Sequence, residues 1–316
     1  MSDTRIGFIA IVAACVIWGL SPLFYKLLTH VPPLEVLAHR TVWSLFLFAG
    51  LLLVQGRLRA VRAALDSPVK AATVGLAAAM ITVNWFLFIW SVQVGLVKET
   101  SLGYYIYPLV SVALGVVLFG ERLSRLQWLA VALAAASVAV LVAGLGTAPW
   151  LPLVLATTFS IYGVLKKRLS IGPVVSVTAE ILLLTPVALA WLAMLHVGGA
   201  GAFGRDLVTS LLLIASGLLT ALPLVLFSRA AQLVPLSTVG LVQYLNPTLQ
   251  FLCAVVIFTE PFTPVHALAF GLIWTGLALY SISTIRQDRA RRRMSMTSVA
   301  EAPTCTKSSS EASAKP

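Results

Sequence analysis

Arg40 is the residue hardest to read as packing. It lies seven residues past Pro33 in an apolar run. That is about 10 Å along a helix, too deep for easy snorkelling to a surface. A guanidinium in hydrocarbon is costly and marks a substrate or ion pathway by default. Glu180 poses the same problem in a second apolar run, and a shift of 140 residues aligns Arg40 with Glu180 and Lys26 with Lys166. Two readings stay open. In one, both face a central cavity, where Arg40 binds substrate charge and Glu180 carries a coupling proton. In the other, Arg40 pairs with Glu35 or helix-end carbonyls, and Glu180 pairs with Lys166, Lys167 or a hydroxyl. Lys26 and Glu35 read as rim residues, Glu35 sharing a face with His39 at i,i+4.

A polar and aromatic set forms the second constellation. One apolar run carries Asn84, Trp85, Trp90 and Gln93, the next carries Tyr104, Tyr105, Tyr107 and Pro108, and a late one carries Gln243, Tyr244, Asn246 and Pro247. An amide surrounded by hydrocarbon needs a hydrogen-bond partner. A proline inside a helix frees a carbonyl one turn earlier, leaving a kink or a ligand for substrate. The expected substrate-binding residues are therefore Arg40, Asn84, Trp85, Tyr105, Tyr107 and Pro108, with Gln243, Tyr244, Asn246 and Pro247 from the late run. Glu180 is the coupling candidate. The competing reading is packing and interfacial belts. Asn84, Trp85, Pro108 and Pro247 lie near the centres of their runs, where a belt is not expected, whereas Tyr104 and Gln243 lie nearer the ends.

Other chemistries lack their residues. The three cysteines (Cys15, Cys253, Cys305) and four histidines (His30, His39, His196, His266) are scattered, without metal-ligand spacing. No Gly-rich phosphate loop occurs. No convergent catalytic set is visible, so the expectation is a non-enzymatic protein with no metal and no cofactor.

The elements that carry these residues follow from composition. Of 316 residues, 59% are hydrophobic and only 10% charged. Soluble domains carry about 25% charged residues, and a soluble fold this apolar would aggregate. Continuous rather than alternating apolar runs exclude a transmembrane barrel. A helical span needs about 20 apolar residues, and breaks at proline, glycine and charge divide the chain into ten. They fall near 6–28, 34–54, 71–94, 100–119, 126–145, 150–167, 174–196, 208–228, 236–258 and 262–284. With the N-terminus inside, eighteen of the 22 Lys and Arg fall on inner segments and two (Lys98, Arg205) on outer loops. Both termini are then cytoplasmic, and the net charge of +11 needs no nucleic-acid partner. From residue 286 the chain turns basic and then rich in Ser, Ala and Thr, which reads as a disordered tail over 286–316.

An internal repeat organises the spans. SLGYYIYPLVSVALGVVLFGE (101–121) matches GLVQYLNPTLQFLCAVVIFTE (240–260) at an offset of 139. Leu102 meets Leu241, Tyr105 meets Tyr244, Pro108 meets Pro247, Phe119 meets Phe258 and Glu121 meets Glu260. The pairing divides the chain into 1–145 and 146–285, each of five spans. Five is odd, so the halves enter the membrane with opposite topology, the inverted-repeat plan of secondary transporters. The expected fold is thus an all-α polytopic membrane protein, ten transmembrane helices as a 5+5 inverted repeat.

The ten-span plan, the proline motifs of spans four and nine, and the Glu after each resemble the drug/metabolite transporter superfamily. Within it, AHRTVWS (38–44), NWFLFIWSV (84–92), SLGYYIYPL (101–109) and VQYLNPTLQFLCAV (242–255) resemble the EamA-type permeases of the RarD family, over about residues 6–284. The resemblance implies a multi-pass permease of the bacterial inner membrane without enzymatic activity. The expected function is secondary transport of small organic solutes, drugs or metabolites by alternating access, in the export direction, with protons as a candidate coupling ion. Its partners are then a small-molecule substrate and the bilayer. A metabolite importer or exchanger is the alternative within transport, and a channel or sensor the alternative outside it.

Overall fold

The computed structural model describes residues 3–120, 123–146, 148–169, 171–234, 239 and 242–300, and its elements are all helical. Eight helices among the described residues are long and apolar enough to cross a bilayer. They are α1 (Asp3–Lys26), α2 (Pro33–Val54), α4 (Pro68–Gln93), α5 (Val97–Phe119), α6 (Arg125–Leu145), α8 (Pro173–Val197), α9 (Leu207–Leu233) and the first part of α11 (Pro264–Ala300). Two shorter apolar helices stand where spans six and nine were expected: α7 (Trp150–Arg168) and α10 (Leu245–Leu252), the latter continued by a π-helical turn over Cys253–Ile257. The sequence reading missed α3 (Leu58–Ala63), whose six residues carry Arg59 and Arg62.

Helix boundaries follow local chemistry. Pro33, Pro68 and Pro173 open α2, α4 and α8 in the first turn, where a missing N–H breaks no helical bond. Ser124 and Gln127 form a reciprocal capping box at the start of α6. Asp206 caps α9 by accepting from the Thr209 N–H at 2.7 Å. At the other end, α11 stays helical to Ala300, into the segment from residue 286 read as disordered; arginine, alanine and methionine there all favour helix. Residues 301–316, with Cys305, lie outside the described residues, as do Glu121, Pro235 and Leu241.

The outward face of the bundle is apolar. Phe46, Leu53, Val117, Trp128, Val187, Leu211 and Val256 are all exposed. Such a surface is satisfied by lipid and not by water.

The two sequence halves do not form separate lobes. α1 packs on α9 and α10, α2 on α8 and α9, α4 on α7, α5 on α7 and α10, and α6 on α11. Small residues permit these approaches, as in membrane helix packing generally. A Cβ on Gly217 would lie 2.6 Å from the Trp43 Cβ, and one on Gly19 would lie 2.7 Å from the Leu249 Cβ. The Gly217 contact seats α9 against α2 one turn from Thr220, the residue that meets Arg40.

Candidate functional site

Arg40 lies on the buried face of α2, 5% exposed. Its Nε donates to the Thr220 hydroxyl of α9 at 2.5 Å. Its guanidinium carbon lies 4.1 Å from the centroid of Trp85 on α4 and 5.9 Å from that of Tyr25 on α1. A desolvated cation over an indole is worth about 2 kcal/mol. Among the described residues no carboxylate comes within ion-pairing distance of it. The Tyr25 hydroxyl, sealed from solvent, completes no well-formed hydrogen bond. Tyr25 and Phe88 meet edge-on at 5.9 Å, and Phe88 leans on Tyr104 at 6.1 Å. Four helices, three from the first half and one from the second, thus enclose one cation in aromatic walls.

Asn84 adjoins this box through Tyr104, and its side chain is fully used. Its amide nitrogen donates to the Leu155 carbonyl and the Thr158 hydroxyl of α7 at 2.9 and 3.1 Å, and its oxygen accepts from the Tyr104 hydroxyl at 2.9 Å. It ties α4, α5 and α7 together and fixes Tyr104 against the box. Gln93 is likewise structural, donating to the Leu28 and Val31 carbonyls just past α1.

Glu180 does not meet Arg40. Its Oε1 accepts from the Lys166 Nζ at 2.6 Å and the Ser176 hydroxyl at 3.0 Å, and its Oε2 accepts from the Tyr162 hydroxyl at 3.1 Å. Lys166 also donates to Ser176 at 2.5 Å. The carboxylate is buried, with an ammonium and two hydroxyls around it, all from α7 and α8.

The repeat-motif residues assemble elsewhere. Tyr105 shares a 2.6 Å hydrogen bond with Thr248 and stands edge-on to Phe270 and Trp274 of α11. Tyr244 packs against the same cluster. Tyr107 stands edge-on to Phe159 at 4.7 Å, and its carbonyl accepts from Ser160. Pro108 sits inside α5, half-buried. The Pro247 carbonyl accepts from Ser101 at 2.8 Å, the Asn246 side chain accepts from Gln250, and Gln243 is half-buried just before α10. Of the expected set, the structure brings Arg40, Asn84 and Trp85 together. Tyr105 and Tyr244 meet at the α5–α10–α11 contact, Tyr107 stands against α7, Pro108 lies within α5, and Gln243, Asn246 and Pro247 lie at or just before α10. Sequence reasoning missed Tyr25 and Thr220 altogether and set Tyr104 low. Tyr25, beside Lys26 at a span end, reads as a belt residue, and Thr220 as a neutral helix hydroxyl.

The Lys26 end of the bundle is laced across the halves. Glu35, expected at a wet rim, is 1% exposed, and its Oε1 accepts from the Ala202 N–H at 2.6 Å. His30 meets Thr209 at 3.0 Å. Glu260, the acid that follows the second repeat motif, accepts from the Val97 and Lys98 N–H groups at 2.7 and 2.8 Å, capping α5. Burial pushes its carboxyl above the ordinary range, while those two N–H groups pull it back. An open groove of about 690 Å³ between α2, α3 and α8, lined by Leu45, Ala49, Arg62, Asp66, Thr178 and Leu182 among others, shares no residue with the Arg40 box.

Comparison with known proteins gives a consistent answer. The family model described as the EamA-like transporter family matches twice, over residues 5–143 and 147–282. The protein RarD of Streptomyces exfoliatus is 43% identical over 96% of this chain and 97% of its own. The transporter YojE of Bacillus subtilis is 39% identical over 92% of this chain and 98% of its own. A chloramphenicol-sensitive protein RarD of Pseudomonas aeruginosa is 33% identical over 91% and 97%. One solved structure of 21% identity superposes with a TM-score of 0.55 over 88% of this chain and 96% of that one.

Proposed function

This chain belongs to the EamA-like transporter family, and from that premise we propose that it is a secondary transporter carrying a small organic solute across the bacterial inner membrane by alternating access. The family is one of transporters and not of enzymes. The observation that carries the reading is the Arg40 box: a buried cation, aromatic walls, and contributions from both halves at one crossing.

Ten spans in a 5+5 inverted repeat belong to the same proposal. Support comes from the two family matches that divide the chain near residue 145. The helix packing supports it too. Exchanging each span with its equivalent five further on turns α1–α10 into α7–α5, α1–α9 into α7–α4, and α2–α9 into α8–α4, all of which are observed packings. Reporter fusions at Ser67 and the C-terminus should read cytoplasm, and one at Gly201 the outer side. An outward C-terminus would remove the inverted repeat.

Export is the proposed direction. On the orientation set by the lysines and arginines, the Lys26 end is outer. The ties at Glu35, His30 and Glu260 hold that end together, which favours loading from inside. The buried Glu180–Lys166 pair is the proposed proton-coupling site. Everted membrane vesicles loaded with chain or without it give the direct test: accumulation of a solute only with the chain and a proton gradient supports export. Uptake into right-side-out vesicles alone would favour the importer.

A further inference from the structure

Resting on the transporter reading and deepening it, we propose that the Arg40 box takes an organic anion: a solute whose carboxylate docks on Arg40 and whose flat apolar body lies among Trp85, Phe88 and Tyr104. A cation within the bilayer is normally paired with an acid or with backbone carbonyls. The acids described in and beside the spans engage other groups: Glu35 the Ala202 N–H through one oxygen, Glu99 Lys98, Glu180 Lys166, and Glu260 the head of α5. Among the described residues Arg40 has the Thr220 hydroxyl, the face of the Trp85 indole and the Tyr25 ring, and no carboxylate within ion-pairing distance.

The unused donors have a direction. Nε is committed to Thr220, so the terminal amino groups of the guanidinium remain as a planar fork, the geometry that grips a carboxylate with two parallel hydrogen bonds. Beside it the Tyr25 hydroxyl is buried to 1% exposure and completes no well-formed hydrogen bond, with the Arg40 side chain as its polar neighbour. Native proteins seldom leave such a group orphaned. A carboxylate on the fork offers Tyr25 an acceptor and gives Arg40 its counter-charge at once. The walls set the rest of the ligand. Trp85, Phe88 and Tyr104 present ring faces and edges, and Asn84 and the Tyr104 hydroxyl satisfy each other, so the walls are mainly apolar.

The test separates the anion from the body. The purified full-length protein in lipid nanodiscs is titrated by thermal shift with phenylacetate and indole-3-acetate, each beside its neutral amide. The expected result is stabilisation by the acids at concentrations at least about tenfold below those of the amides. Arg40→Gln should erase that preference and leave amide binding unchanged. Arg40→Lys should keep a weaker preference, because a point charge replaces the fork, and Tyr25→Phe should weaken the acids alone. Circular dichroism and gel filtration confirm that each variant folds, and Arg40→Met serves in place of Arg40→Gln if that one does not. Acids and amides acting alike, Arg40→Gln keeping the acid preference, or no response to any acid would overturn the proposal. Failure of the transporter reading looks different: acid binding that depends on Arg40, with no counterflow of the same acids in proteoliposomes.

Discussion

Arg40 in α2 and Glu180 in α8 occupy equivalent places under a 140-residue shift, yet the chain treats the two charges in opposite ways. Glu180 is answered from its own half by Lys166, Ser176 and Tyr162. Arg40 is answered by one hydroxyl from the other half, that of Thr220, and by aromatic rings of its own half, with no acid among the described residues. On the proposed inverted repeat, matching positions would hold one closed charge and one open charge, and their surroundings would assign the proposed roles: proton coupling to the closed pair and ligand binding to the open one.

The widest separation between the two should appear in transport. In proteoliposomes, Glu180→Gln is expected to abolish gradient-driven uptake and spare solute exchange, whereas Arg40→Gln removes both. Equal loss of both activities in Glu180→Gln would make the pair structural or part of the binding site. Stability should divide them next. Lys166→Met strands a buried carboxylate and should cost about 3–5 kcal/mol in denaturant unfolding, most of it recovered by adding Glu180→Gln. Arg40→Met has no ion pair to break; it loses the bond to Thr220, about 1 kcal/mol, and the contact with Trp85, about 2 kcal/mol, but relieves the burial of an unpaired charge, so its net cost should fall well below that of Lys166→Met. A loss as large as that of Lys166→Met would mean that Arg40 has a counter-charge after all.

Span positions were the most legible part of the molecule. Hydropathy finds runs of about 20 residues, and proline at the first turn sharpens their starts. α3 escaped because six residues carry no hydropathy signal. Span nine was drawn as one continuous stretch, but a short helix and a π-turn occupy its described part. Arg40, Asn84 and Trp85 were legible as a group because polar residues deep in apolar runs need partners. Tyr105 and Tyr244 illustrate the limit. Their shared place in the repeat was readable, but the face they turn was not, since it depends on where α11 packs. Tyr25 was invisible for a related reason: one-dimensional hydropathy cannot tell a ring facing headgroups from one facing Arg40.

Smaller effects sharpen the comparison further. Thr220→Val removes the hydroxyl that accepts from the Arg40 Nε and should cost about 1 kcal/mol, read by thermal unfolding without solute. Glu260 gives a third way of answering a charge, with backbone N–H groups. Its carboxyl is held above the ordinary value of 4.5 by burial. The folded protein then holds this proton where the unfolded chain has lost it, so the Glu260 contribution is full below that value and declines as pH rises through the raised one. Unfolding midpoints between about pH 4 and 7 should show this slope in the parent and lose it in Glu260→Gln; an unchanged slope would assign the titration to another group.

The uncompensated charge of Arg40 also has an electrical meaning. If the box keeps its cation when empty and an anion cancels it when full, the loaded carrier is neutral at its centre and the empty one is positive. The membrane voltage then acts on the return of the empty carrier and leaves the loaded step nearly untouched. A full charge crossing the full field gains about 2.3 kcal/mol per 100 mV. With the cell interior negative, that pull draws the vacant site inward, so each cycle would be reset by the resting potential at the face where an exported solute is found.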